Sequence, residues 1–307
     1  MRVTNSMNYR ALLGAMQERT QAQFDAQQAL STGRKFQQAK DDPVAAAAVL
    51  RTEDRLARLQ SQQDTLNRVE ARHAYSETRL GDLGDTLQSA RELLLRAQTV
   101  SINTEDRDLL AEQLRGMAAD VASIANTRDA DGRPLFAGTS PNPPLAGGPG
   151  AWTLAADISA PPRVEVADGR QLANGVDMRS ALMNTAGTAD IVTALETLAD
   201  AVALNPTDDA GKLARRDTLD AGLVELDGML ERTSRVRSQA GLALEAVDTL
   251  RAANDSGQLN ASSELAQWRD ADIAAEVTRL ANENASLEAA RAVFQRLGQQ
   301  SLFNFLR

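Results

Sequence analysis

The chain has 307 residues, with 33 Lys and Arg against 42 Asp and Glu for a formal charge of −9, a single histidine, no cysteine and only 3% aromatic residues. Without cysteine there can be no disulfide, thiolate nucleophile or Cys-ligated zinc, and arginines interleaved with acids do not bind nucleic acid by phosphate neutralisation, which needs clustered cations. Ala, Leu, Arg, Gln, Glu and Asp dominate, which favours long helices packed by small and straight side chains in about two domains of roughly 150 residues.

The opening, MRVTNSMNYRALLGAM, lacks the continuous apolar core of a cleaved secretory signal, and the longest apolar run, Val44–Leu50, is too short to span a bilayer. No membrane insertion is therefore expected. Residues 1–40 read as a helix that breaks at Ser31-Thr32-Gly33-Arg34, with Leu12, Leu13, Met16, Phe24 and Leu30 on one stripe about 100° wide. Asp41-Asp42-Pro43 supplies the next helix start, Asp42 capping free N–H groups and Pro43 taking the first helical position, where its missing donor is no loss.

From Pro43 to about Val100 the chain carries no further proline, and Leu59, Leu66, His73, Leu80, Leu87 and Leu94 recur every seven residues, with Val69, Leu83, Ala90 and Ala97 at offset positions. This period predicts a helix on the order of 80 Å long with coiled-coil-like contacts along its length. Ser101-Ile102-Asn103-Thr104 ends it, and Asn103 or Thr104 with Glu105 and Asp106 starts a shorter antiparallel helix through about Asn126.

The pattern changes at Asp129. Asp131-Gly132 before Arg133-Pro134-Leu135-Phe136-Ala137-Gly138 has the composition of a hairpin turn; after a Pro- and Gly-rich loop come candidate strands at Trp152–Ala155 and Arg163–Val166 and a second Asp-Gly turn at Asp168-Gly169. Helical pattern resumes near Thr188, breaks at Asn205-Pro206, runs from about Asp208 to Asn254 and stops at Asp255-Ser256-Gly257. A last helix, about Asp270 to Leu306, places Ile273, Val277, Leu280, Leu287, Phe294, Leu302 and Phe305 on one stripe.

The expected fold is mainly α: an elongated coiled-coil helical rod formed by the N- and C-terminal segments, with a small β-rich central insert. Residues 1–42 with 258–307 form a terminal helical assembly domain, 43–138 with 188–257 the helical rod, and 139–187 the insert. Folding back through the insert brings both termini to one end and leaves the insert as a knob at or near the other. Neither terminal stripe can bury itself, because an isolated amphipathic helix owes most of its stability to whatever covers its apolar face.

Catalytic chemistry finds little to use. His73 is the one histidine and sits inside the seven-residue repeat, where a packed or interface role is expected. Asp129-x-Asp131-Gly132 lacks the later acidic ligands of a calcium loop and reads as a turn. Gly147-Gly148-Pro149-Gly150 has no lysine and no helix start after it, so it is no phosphate cradle. No catalytic, metal or cofactor-binding residue is assigned, and no cofactor is expected.

Several segments resemble a known family. Leu30-Ser31-Thr32-Gly33-Arg34-Lys35 followed by Lys40-Asp41-Asp42-Pro43-Val44-Ala45-Ala46 is similar to the N-terminal signature of bacterial flagellins and their relatives, an LS(S/T)G turn followed by a DDP helix start. Asn126 to Thr139, NTRDADGRPLFAGT, resembles a further flagellin segment; Asp270-Ala271-Asp272 resembles the start of the flagellin C-terminal helix; and Gln299 to Leu306, QQSLFNFL, resembles the ending of the member that joins hook to filament. The insert carries no such likeness.

The resemblance implies a structural role outside the cell, after export through the flagellar type III apparatus without a cleaved signal. It implies a ring of identical copies, another hook-associated protein on the hook side, flagellin on the filament side and a cytoplasmic export chaperone before secretion. Under it, Leu13, Met16, Phe24, Leu30, Ile273, Val277, Leu280, Leu287, Phe294, Leu302 and Phe305 face neighbouring helices in the assembly. The heptads and missing catalytic groups also fit an intracellular coiled-coil adaptor or signalling rod, and the flagellin-like turns fit a filament flagellin with a short central domain.

Overall fold

The structure, a computed structural model, describes residues 2–98, 103–183 and 190–305. The helices are α1 (Arg2–Thr32), α2 (Pro43–Ala97), α3 (Thr104–Ala125), the short α4 (Arg179–Leu182), α5 (Ile191–Ala203), α6 (Asp209–Arg269) and α7 (Ile273–Phe305). Among the described residues β structure is confined to two antiparallel pairs, β1 (Leu145–Ala146) with β2 (Thr153–Leu154) and β3 (Arg163–Ala167) with β4 (Arg170–Ala173). The chain is mainly α, with its strands in a small central insert. Ser101, Ile102, Thr188 and Leu306 lie outside the described residues.

Helix boundaries follow the expected local chemistry at most breaks. Gly33, at φ +68°, closes α1 and donates to the Ala29 carbonyl at 2.8 Å. Asp42 Oδ1 accepts from the Val44 and Ala45 N–H groups at 3.1 and 2.9 Å ahead of α2, and Asn103 accepts from the Asp106 N–H at 2.7 Å ahead of α3. Asp272 does the same for α7, accepting from Ala274 at 3.0 Å.

One expected stop is absent. α6 runs through Asp255-Ser256-Gly257 to Arg269. The glycine does not act as a terminator because side-chain packing continues across it: a Cβ built on Gly257 would stand 3.4 Å from a Leu59 methyl, and Ala261 and Leu265 are buried beyond it. Tertiary cover outweighs a helix-propensity cost of about 1 kcal/mol.

The chain divides into two compact units, Met1–Leu59 with Ser256–Arg307 and Gln60–Asp255. In the second, Leu66, His73, Leu80, Leu87 and Leu94 are all buried, as are Val69, Leu83, Ala90 and Ala97. Leu114 and Val121 of α3, Ile191 and Leu195 of α5, and Leu219 and Leu226 of α6 complete the core around α2. α2 and α6 run antiparallel, fixed by Arg91–Asp227 at 2.6 Å, Gln98–Asp220 at 2.7 Å and Arg237–Glu77 at 2.6 Å. Glu70 also pairs with Arg251, and this hydrogen bond is the main reason that its carboxyl titrates below the usual range.

The position of the insert corrects the expected knob at the far end of the helices. The β3–β4 hairpin turns at Asp168-Gly169 as expected, but it lies along the flank of α2, where Val166, with Val164, Ala167 and Leu172, packs on Leu66, Val69, Val247 and Leu250. Gln62 bonds Asp168 at 3.0 Å, and His73 Nε2 meets the Ala173 carbonyl at 2.8 Å. Here the strand pair covers the heptad stripe.

The Asp131-Gly132 turn closes through Asp129, whose N–H donates to the Arg133 carbonyl at 2.8 Å and whose Oδ1 accepts from the Asp131 and Arg133 N–H groups at 3.0 and 2.9 Å. Gly138 is required at the turn's end: it has φ +68°, and an added Cβ would fall 2.0 Å from the Ser159 carbonyl oxygen. β1 lies in the Pro- and Gly-rich loop that showed no strand pattern. Two residues cannot display alternation; Leu145 is held by the Asn126 amide, which bonds its N–H at 2.9 Å and its carbonyl at 2.8 Å.

Candidate assembly surface

The terminal unit is built on an antiparallel pair, α1 with α7. At the crossover between them and the longer helices, the Lys35 N–H donates to the Arg269 carbonyl at 2.8 Å and the Ala271 N–H to the Gly33 carbonyl at 2.9 Å, so the breaks that end α1 and precede α7 are tied together. Farther along, the Arg19 guanidinium meets both Glu283 oxygens at 3.0 Å and Gln23 bonds Asn284 at 2.7 Å. With Arg19 half exposed, the ion pair sets register more than it stabilises.

What this unit buries is small. Among its described side chains the buried apolar set is Ala26, Ala29, Ala45, Ala46, Ala48, Ala261, Leu265 and Leu287. A methyl group is worth about 0.8 kcal/mol on burial, a Leu or Phe about 1.5–3 kcal/mol. The larger apolar residues face outward instead, with fractional exposures of 73% at Leu259, 70% at Val44, 68% at Met7, 62% at Leu50, 58% at Phe24, 52% at Val277 and 50% at Ile273. The second unit also exposes apolar residues, among them Leu109 and Val224, but over a core filled by leucines.

The residues expected to face neighbours divide accordingly. Leu13, Phe24, Ile273 and Val277 are exposed; Met16, Leu30, Leu280 and Phe294 are half-buried; Leu287 is buried within the chain at 3% exposure. The side chains of Leu302 and Phe305 lie outside the described ones. Met7, Val293 and Trp268 add to the exposed set and were not anticipated. Met7 and Val293 fall on the pairing helices, but an apolar stripe read from one helix alone does not reveal which of its edges a partner leaves uncovered.

His73 is packed. It is 2% exposed between α2 and β4, and burial holds its imidazole below the ordinary value, with the Arg72 charge acting in the same direction and the Ala173 carbonyl against it. Among the described residues no group of three or more His, Cys, Asp or Glu converges as a metal site, and no helix is long and apolar enough to cross a membrane.

Comparison with known proteins gives concordant matches. Residues 3–141 match the family model described as the bacterial flagellin N-terminal helical region. Flagellar hook-associated protein 3 of Escherichia coli is 25% identical over 288 residues, covering 89% of this chain and 90% of that protein. Its counterpart in Salmonella typhimurium is 24% identical over 321 aligned positions that cover all of both chains. The solved flagellar hook-associated protein 3 of Legionella pneumophila superposes with a TM-score of 0.64 at 14% identity, covering 70% of this chain and 97% of that one, a likeness of fold.

Proposed function

We propose that this chain, similar along its whole length to flagellar hook-associated protein 3, is a structural subunit of the bacterial flagellum that forms the junction between a hook-associated protein and the flagellin filament. One observation carries the assembly mode: in the terminal unit the described buried apolar side chains are mostly alanines, with Leu265 and Leu287, while Met7, Phe24, Val44, Leu50, Ile273 and Val277 lie outside. A helix pair so lightly held within its own chain gains most of its stability when other helices cover the outward residues, so ordering and polymerisation are coupled.

The partners that fit are helical: copies of this chain in a ring, another hook-associated protein on the hook side and flagellin on the filament side. In this reading Leu13, Phe24, Ile273 and Val277, with Met16, Leu30, Leu280, Phe294, Leu302 and Phe305, meet neighbouring subunits, while Leu287 holds α7 on α1. Residues 1–42 with 258–307 are the assembly part, 43–138 with 188–257 carry it, and 139–187 are a surface decoration. The chain acts outside the cell without catalytic chemistry, exported through the flagellar type III apparatus, with a cytoplasmic chaperone covering the terminal apolar face before export.

The test is complementation of a strain lacking this gene. Phe24→Asp with Val277→Asp, both at exposed positions, leaves a folded protein that is exported to the medium while filaments fail to grow, because a charge at a covered seam is strongly disfavoured. Normal filaments from that double variant overturn the reading. Retention of the wild-type chain in the cytoplasm would favour an adaptor instead.

A further inference from the structure

We propose that the cleft between the first turns of α6, the start of α3 and the end of α2 is an oxyanion-binding site, for the carboxylates of an acidic peptide or for phosphate. The cleft has a volume of about 430 Å³, and four of its lining residues are cations, Arg107, Lys212, Arg215 and Arg216, against Asp220 as the single acid among the described lining. In a chain of net charge −9 this concentration of positive charge runs against the overall balance. Asp220 is already engaged, accepting from Gln98 at 2.7 Å and lying 3.8 Å from the Arg216 guanidinium.

One observation points to an external anion. Arg215 Nη1 is buried and has no hydrogen-bond partner, and a buried charged donor left without an acceptor is costly. Lys212 and Arg216 stand on the same first turns of α6 and are exposed, Lys212 lying 3.5 Å from the fully solvent-exposed Asp209, while Asp208 caps the helix start by accepting from the Gly211 N–H at 3.2 Å. An oxyanion answers the unpaired Arg215 donor, because guanidinium groups present paired donors that match carboxylate and phosphate geometry.

The experiment titrates the full chain by calorimetry with inorganic phosphate and, separately, with a hexaglutamate peptide, at ionic strength held constant with chloride. Binding of either probe is expected, weakened about tenfold or more in Arg215→Gln and in Lys212→Gln/Arg216→Gln, with Arg215→Lys intermediate. Tighter binding of the peptide identifies a carboxylate-bearing partner as the source; binding of phosphate alone identifies the free ion. Binding of neither probe, or affinity unchanged in the variants, overturns the proposal. Lys212 and Arg216 are exposed, so the double variant decides the matter should Arg215→Gln fail to fold. The result is independent of the flagellar assignment, whose test reads filament growth from variants of the terminal helices.

Discussion

Arg72 on α2 and Asp129 in the loop after α3 form one ion pair across 57 positions of sequence, both side chains about 85% buried. The same guanidinium donates to the carbonyls of Pro134 at 3.2 Å and Leu135 at 3.0 Å, so one arginine closes the Asp131-Gly132 turn onto the long helix. Arg72→Ala leaves the carboxylate and two carbonyls without this donor. It should lower stability by about 3 kcal/mol, read as a fall in the urea midpoint, whereas Lys at this position recovers only part because it cannot bridge three acceptors in a plane.

His73 gives the fold a pH dependence of definite sign. Burial lowers its folded pKa, so the unfolded chain binds the proton more readily. Its contribution is fully present above the ordinary imidazole value of about 6.5 and is lost as pH falls from there toward the lowered folded value. His73→Gln keeps a donor for the Ala173 carbonyl but cannot titrate in this range. Its urea midpoint should therefore change less than that of the wild type between pH 7.5 and the acid side; an identical pH profile would show that the imidazole does not contribute.

Gly257 distinguishes a continuous helix from a terminated one. Its backbone lies within α6 and a new methyl would meet Leu59 at ordinary contact distance. Gly257→Ala should stabilise by roughly 0.5–1 kcal/mol, seen as a higher thermal midpoint. A glycine ending the helix in the left-handed conformation would give the opposite sign.

Among the described side chains, Leu287 is the large apolar residue that the α1–α7 pair encloses. Leu287→Ala removes cover worth about 2–3 kcal/mol, and amide exchange in α7 should accelerate on the order of 30-fold or more while the Gln60–Asp255 unit keeps its protection. Val277→Ala, at a position 52% exposed, should leave exchange in the monomer nearly unchanged. Equal effects at both positions would remove the distinction between an inner and an outer face.

Much of the fold was legible from local chemistry. Capping by Asp42 and Asn103 and the break at Gly33 involve groups within a few positions of one another, so a string of residues contains the whole interaction, and the seven-residue spacing of Leu66 to Leu94 marks one face for burial whatever comes to cover it. The place of the β3–β4 hairpin was not legible, because Val166 needed Val247 and Leu250, some 80 residues away, to define the surface that it covers. The anion cleft was hidden for the same reason: Arg107 and Arg215 look like members of two ordinary charged helices until the fold sets them side by side.

The amino-acid sequence by itself determined that the chain would be helical, cysteine-free, and apolar along one stripe at each end, since composition and periodicity act through short-range propensity and solvation. Only the tertiary structure decided which part of each stripe is satisfied within the chain. Leu287 turned inward and Phe24, Ile273 and Val277 outward because two helices pair along one seam, set by Arg19–Glu283 and the Gly33–Ala271 crossover bond. A single helix pair has only one covered side, and which residues stand on it depends on the rotation of each helix about its axis, a quantity fixed by long-range contacts.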